Sequence, residues 1–96
     1  MKLGIVLATA DLATAAALAH AARRAGHEVA VFAMDTGCRA LAEAPDAVTA
    51  LADADCELFA CSNSSVGLAL PEPVIRGSQD DHAAVVATAD RVVALT

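Results

Sequence analysis

Tryptophan and tyrosine are missing from these 96 residues, and the only phenylalanines are Phe32 and Phe59. Basic side chains are also scarce, six against twelve acidic ones, for a formal charge of −6. A nucleic-acid surface needs a cationic stripe and aromatic platforms for the bases. Neither is present, since only Arg23 and Arg24 are adjacent. The same shortage argues against an anionic membrane surface. No uncharged apolar run reaches the ~18 residues that a membrane span needs, and the N-terminus shows no signal-peptide pattern. A cytoplasmic, soluble chain is therefore expected. Three cysteines cannot all pair within one chain, so no disulfide framework is expected either.

Glycine-rich phosphate loops are likewise missing. The turn after the first apolar segment reads Ala8-Thr9-Ala10-Asp11, without the dinucleotide or P-loop pattern. No cofactor is indicated. Metal binding is not expected: Cys56 and Cys61 stand roughly 16 Å apart on an extended segment and point to opposite faces. Asp35-Thr36-Gly37 matches a short aspartic-protease signature, but that chemistry needs two facing carboxylates in an all-β scaffold. Here the triplet ends a strand and reads as a turn. Asn63-Ser64-Ser65 fits a glycosylation sequon that has no use in the cytoplasm.

What remains is abundant small apolar side chains: 57% of residues are hydrophobic, and mean hydropathy is +0.56. Residues 1–96 make one domain with one modest core. A core built from alanine buries little area per residue, so a thin stability margin is expected, with association into an oligomer as its remedy.

Strand and helix signals alternate. Lys2–Ala8 and Glu28–Met34 are apolar on both faces, as parallel strands covered on both sides are. Between them Leu12–Ala25 shows helical spacing, with Thr9 or Asp11 as cap and Arg23-Arg24-Gly26 as its stop. Arg39–Ala44 reads as a helix broken by Pro45, and Asp46 as the cap of another helix through about Ala52. Cys56–Ala60 reads as the third strand. A turn follows, then a short fourth strand at Val74-Ile75. Ser78 caps a helix to about Thr88, and Val92–Leu95 is the last strand. The fold class is α/β, a three-layer α/β/α sandwich with a mainly parallel sheet of about five strands. Such a sheet collects its chemistry at the strand C-termini. The sequence delivers Thr9, Asp11, Asp35, Thr36, Cys38, Cys61, Ser62, Asn63, Gly77 and Ser78 to that edge.

Cys61 is the most informative residue of that set. It ends an apolar strand and is followed by Ser62, Asn63 and Ser64, the residue types that cap helices. A helical turn starting there would place unpaired N–H groups and the positive end of a dipole beside the sulfur. Both favour the thiolate, and ordinary thiol values of about 8.5 fall to roughly 3.5–7.5 in such settings. Buried cysteines are also common as inert small hydrophobes. Cys56, at the opposite end of its strand, reads that way. Cys38 reads either as a second thiol of the site or as a helix-start residue. No histidine is positioned as a base for Cys61. His20 and His27 lie elsewhere, and only His82 reaches the correct edge.

The order of elements resembles the DsrE/DsrF-like family of sulfur-relay proteins across nearly the whole chain. The likeness is carried by Lys-Leu-Gly-Ile-Val-Leu-Ala-Thr at residues 2–9 and by Ala25-Gly26-His27-Glu28-Val29. Cys61-Ser62-Asn63-Ser64 with Gly67, the Gly77-Ser78 turn and Asp90-Arg91-Val92-Val93-Ala94-Leu95 add to it. The resemblance implies assembly into dimers, trimers or hexamers, and a cysteine after strand three that carries persulfide sulfur. Cys61 matches that position. On this reading Ser62, Asn63 and Ser64 position the sulfur, Thr9, Thr36 and Ser78 are neighbours, and a partner protein donates or accepts sulfur. The activity is sulfurtransferase-like, and Cys61 must be open enough for a partner cysteine to approach. Two other readings stand beside it. One is a non-enzymatic oligomeric scaffold with an inert Cys61, and the other is a thiol redox sensor using Cys61 and Cys38.

Overall fold

The computed structural model describes Met1–Thr96. Nine elements follow in order: β1 (Lys2–Leu7), α1 (Leu12–Arg24), β2 (Glu28–Ala33), α2 (Thr36–Ala42), α3 (Pro45–Asp53), β3 (Glu57–Cys61), β4 (Ile75–Gly77), α4 (Gln79–Thr88) and β5 (Arg91–Leu95). The five strands form one sheet, ordered β4-β3-β2-β1-β5, with every pairing parallel. This is the α/β sandwich expected from the strand–helix alternation.

The chain winds outward from β1 through β2 and β3 to β4, then crosses back to lay β5 on the other side of β1. Right-handed crossovers in opposite directions place helices on opposite faces. Helices α1, α2 and α3 pack together over one face, and α4 alone covers the other. The difference shows in burial. On the three-helix side Ile5, Leu7, Val29, Val31, Ala33, Leu58 and Ala60 are all buried. On the α4 side only the middle is sealed, around Ala30 and Phe32. Ile75 (56% exposed), Val86 (42%) and Val92 (42%) stay open at its margins.

Local chemistry accounts for the helix ends. Asp11 caps α1 by accepting from the Thr14 amide at 3.1 Å and the Thr14 hydroxyl at 2.6 Å. Arg23 closes its far end, donating to the Ala54 carbonyl at 2.7 Å and the His27 carbonyl at 2.9 Å. Ser78 and Asp81 form a reciprocal capping box on α4.

Several boundaries differ from the sequence reading. Helix α2 begins at Thr36 rather than Arg39, because Gly37 lets its first turn settle against β1. A Cβ at Gly37 would lie 2.1 Å from the Leu7 carbonyl oxygen. Pro45 opens α3 at its first position instead of merely breaking the preceding helix, and Asp46 lies in the first turn rather than at the cap. Strand β3 runs one residue further, to Cys61, and β4 takes in Arg76 and Gly77. Residues 62–67 are a run of turns, not the start of a helix.

Candidate functional site

Cys61 is the last residue of β3 and pairs in register with Gly77 of β4. The Ser62 amide donates to the Gly77 carbonyl at 2.9 Å, which extends the ladder by one bond. The chain then curls over the strand end. The Ser65 amide returns to the Cys61 carbonyl at 2.9 Å, and the Leu68 amide to the Ser65 carbonyl at 3.0 Å. Gly67 sustains the curl at φ +78°, a backbone state that suits glycine.

The residues of the curl act on the Cys61 thiol. The Ser64 amide is the largest influence on the Cys61 thiol, and the Ser64 hydroxyl and Asn63 amide add to it. Together they outweigh burial and the nearby Asp35 carboxylate, so the thiol sits below its ordinary value. The sequence reading located this effect in a helix dipole. No helix forms there, and individual N–H groups of a turn supply it.

Openness is the second correction. Cys61 is only 5% exposed, so the thiol is not open at the mouth of the sheet. The turn that primes the sulfur also covers it, and Arg76 locks that cover. Its guanidinium donates at 2.7 Å to both the carbonyl and the hydroxyl of fully buried Ser65, and also to the Leu68 carbonyl.

The other two thiols are different. Cys38 is fully buried on α2, donating to the Ala33 carbonyl at 3.4 Å and toward the Cys61 carbonyl at 3.9 Å. Cys56 is also buried and precedes β3. Burial pushes both above the ordinary thiol range.

Among the residues chosen from sequence, Asn63 and Ser64 are those that act on the Cys61 thiol. The Ser62 side chain is exposed, and the residue's backbone is spent on Gly77 and Ser65. Thr9 accepts from the Asp11 amide at 3.2 Å and Ser78 serves the α4 cap, so both have local duties. Thr36 lies across from Ser64, where Asp35, Thr36, Arg39, Ser64, Val66 and Leu68 line a cleft of about 270 Å³. A second hollow of similar size, between α1 and α2, is lined by Ala10, Leu12, Thr36, Arg39, Glu43 and neighbouring alanines. Asp35 enters α2 at φ 50°, in the left-handed region that non-glycine residues seldom occupy. Arg39, Ser65 and Arg76 escaped the sequence reading. Arg39 is marked only by lining this cleft, and Ser65 and Arg76 by the bonds between them, and no motif carries either. His82 rests against Phe32 at 5.0 Å between ring centroids.

No helix is long and apolar enough to cross a membrane. No curated protein matches the chain significantly. Among solved structures, the ychN protein from E. coli superposes with a TM-score of 0.83 over 99% of each chain, at 19% identity. That likeness is one of fold. The family model described as DsrE/DsrF-like matches residues 1–95. The chain belongs to the DsrE/DsrF-like family.

Proposed function

We propose that this protein is a sulfur-relay subunit that carries sulfane sulfur as a persulfide on Cys61. The observation that carries the reading is the thiol at the end of β3, held below its ordinary value by the Ser64 and Asn63 donors. Membership of a sulfur-relay family supports it. In the loading step the Cys61 thiolate attacks the outer sulfur of a donor persulfide. A new S–S bond forms, the donor's S–S bond breaks, and the donor leaves as a thiolate with the electron pair. Charge is conserved and no proton need move, so the site requires no general acid or base. The donors that stabilise the thiolate serve the persulfide anion equally well.

Carriage on a cysteine belongs in a reducing compartment, and three free thiols fit the cytoplasm. The open apolar margins at Ile75, Val86 and Val92 support assembly with further copies, and a donor or acceptor protein would meet the strand C-terminal edge. The test is mass spectrometry after incubation with a persulfide donor. A gain of one sulfur on Cys61, absent in Cys61→Ser, is expected. Loading that survives the substitution overturns the assignment.

The 5% exposure of Cys61 favours a second reading, an oligomeric scaffold with an inert thiol. Alkylation of the folded protein near neutral pH separates the two. Selective modification of Cys61 belongs to the carrier, and protection of all three thiols to the scaffold.

A further inference from the structure

We propose that the cleft between the start of α2 and the 62–68 turn binds the oxyanion of a small sulfane-sulfur donor, with Arg39 as the residue that selects it. The donor's sulfur chemistry rests on the carrier reading above, whereas oxyanion recognition does not.

The cleft holds about 270 Å³, at the small end for ligand sites and suited to a fragment of a few heavy atoms. Its lining is mostly polar: the Thr36 and Ser64 hydroxyls, the Asp35 carboxylate and the Arg39 guanidinium, with Val66 and Leu68 completing it. Cys61 does not itself line the cleft, and Ser64 links the two: it lines the cleft and stands three residues beyond Cys61, on whose thiol its amide and hydroxyl act.

Charge identifies the ligand. Two cations belong to this region, Arg39 and Arg76. Arg76 is consumed by the carbonyls and hydroxyl of the turn. Arg39 makes no side-chain hydrogen bond, and the molecule's one ion pair joins Arg23 to Asp55 instead. A guanidinium offers a planar fork suited to carboxylate or sulfonate oxygens. In a protein of net charge −6, an anion that enters the cleft meets Arg39 as the one cation lining it. The favoured donor turns its oxyanion to Arg39 and its sulfane sulfur toward Ser64, the lining residue of the turn that covers Cys61.

Thiosulfate and the carboxylate-bearing persulfide of cysteine share that chemistry. With thiosulfate, the Cys61 thiolate attacks the outer sulfur as the bond to the sulfonate sulfur breaks. Sulfite departs with the electron pair, leaving the Cys61 persulfide anion. Three negative charges stand on each side.

The test compares alkylation of Cys61 by iodoacetate, which carries an oxyanion, and by neutral iodoacetamide. In Arg39→Gln the iodoacetate rate is expected to drop about fivefold, the size of one exposed charge pair, while the iodoacetamide rate stays within about twofold. The preference should shrink in ~1 M salt. An unchanged ratio of the two rates, or no reaction at Cys61 with either reagent, overturns the proposal. Persulfide loading of wild type and Arg39→Gln from thiosulfate, and separately from cysteine persulfide, then tells the two sources apart. Loss of iodoacetate preference in the variant, with no loading of wild type by either donor, upholds oxyanion recognition and rejects the carrier reading.

Discussion

Arg76 reaches across from β4 to Ser65, lying 2.7 Å from both its carbonyl and its hydroxyl oxygen. Ser65 is fully buried, and these bonds join that of its own amide to the Cys61 carbonyl in holding the turn at the strand end. Replacing Arg76 by alanine removes charge-assisted bonds from the turn, leaving the Ser65 carbonyl with the Leu68 amide alone, at about 1.5–3 kcal/mol. Iodoacetamide should then modify Cys61 several-fold faster than in the wild type, and the melting temperature should fall. An unchanged rate would mean that the turn is not what limits access.

The acidity of Cys61 should appear in the pH profile of that same reaction. Thiolate is the reactive form, so the rate should rise to half its plateau below the ordinary thiol value of about 8.5. Ser64→Ala removes the hydroxyl but keeps the amide, which is the larger influence. The midpoint should move up, yet stay below the ordinary value.

Stability carries the same signature with a definite sign. A thiol depressed in the folded state contributes stability above its unfolded value, and that contribution fades as pH falls through the folded value. The stability difference between wild type and Cys61→Ser should therefore grow with pH up to about 8.5 and then level off. Cys38 and Cys56 act oppositely, since burial raises both: their contribution is present below the unfolded value and is lost as pH rises. Chemical denaturation of single variants across pH 6–10 measures each slope.

Gly37 should tolerate no side chain. Its Cβ would collide with the backbone of Leu7, which is fixed between two neighbouring strands. Gly37→Ala should cost about 3 kcal/mol or more and detach the start of α2, as measured by denaturant unfolding. Gly67→Ala is a useful contrast, because open space surrounds Gly67 and only its positive φ opposes the change.

Assembly is expected to use the side of the sheet that α4 leaves partly bare. Val86→Lys adds a charge to that side while leaving buried Val85 in place. Light scattering should show a smaller particle than the wild type. A wild type that is monomeric at high concentration would remove the reason for the experiment.

The layers of the fold were legible because they are written in runs. Two-sided apolar strands such as Glu28–Ala33 need cover on both faces, and Arg23-Arg24-Gly26 marks where α1 must stop. The edges were less legible where tertiary contact decides them. Nothing in Asp35-Thr36-Gly37 announces a helix start until the Leu7 carbonyl stands beside it. Cys61, Asn63 and Ser64 could be read as a unit because they stand within four positions and each has a distinct chemical preference. The cover over the sulfur could not, because its lock, Arg76, stands eleven residues beyond Ser65 and resembles any surface arginine. Thr9 and Ser78 were drawn into the site by their position at strand ends, but their hydroxyls are taken by neighbouring backbone and cap groups.

The pairing of β1 with β5 gives the molecule a temporal order. The Lys2 amide donates to the Asp90 carboxylate at 2.7 Å and the Asp90 amide returns to the Lys2 carbonyl at 2.8 Å, across 88 positions of chain. Until β5 is made, β1 is the border of the sheet, its outward N–H and C=O groups without a strand partner. The nascent chain must keep that border from pairing with a stranger, and β5, not the cysteine, closes it.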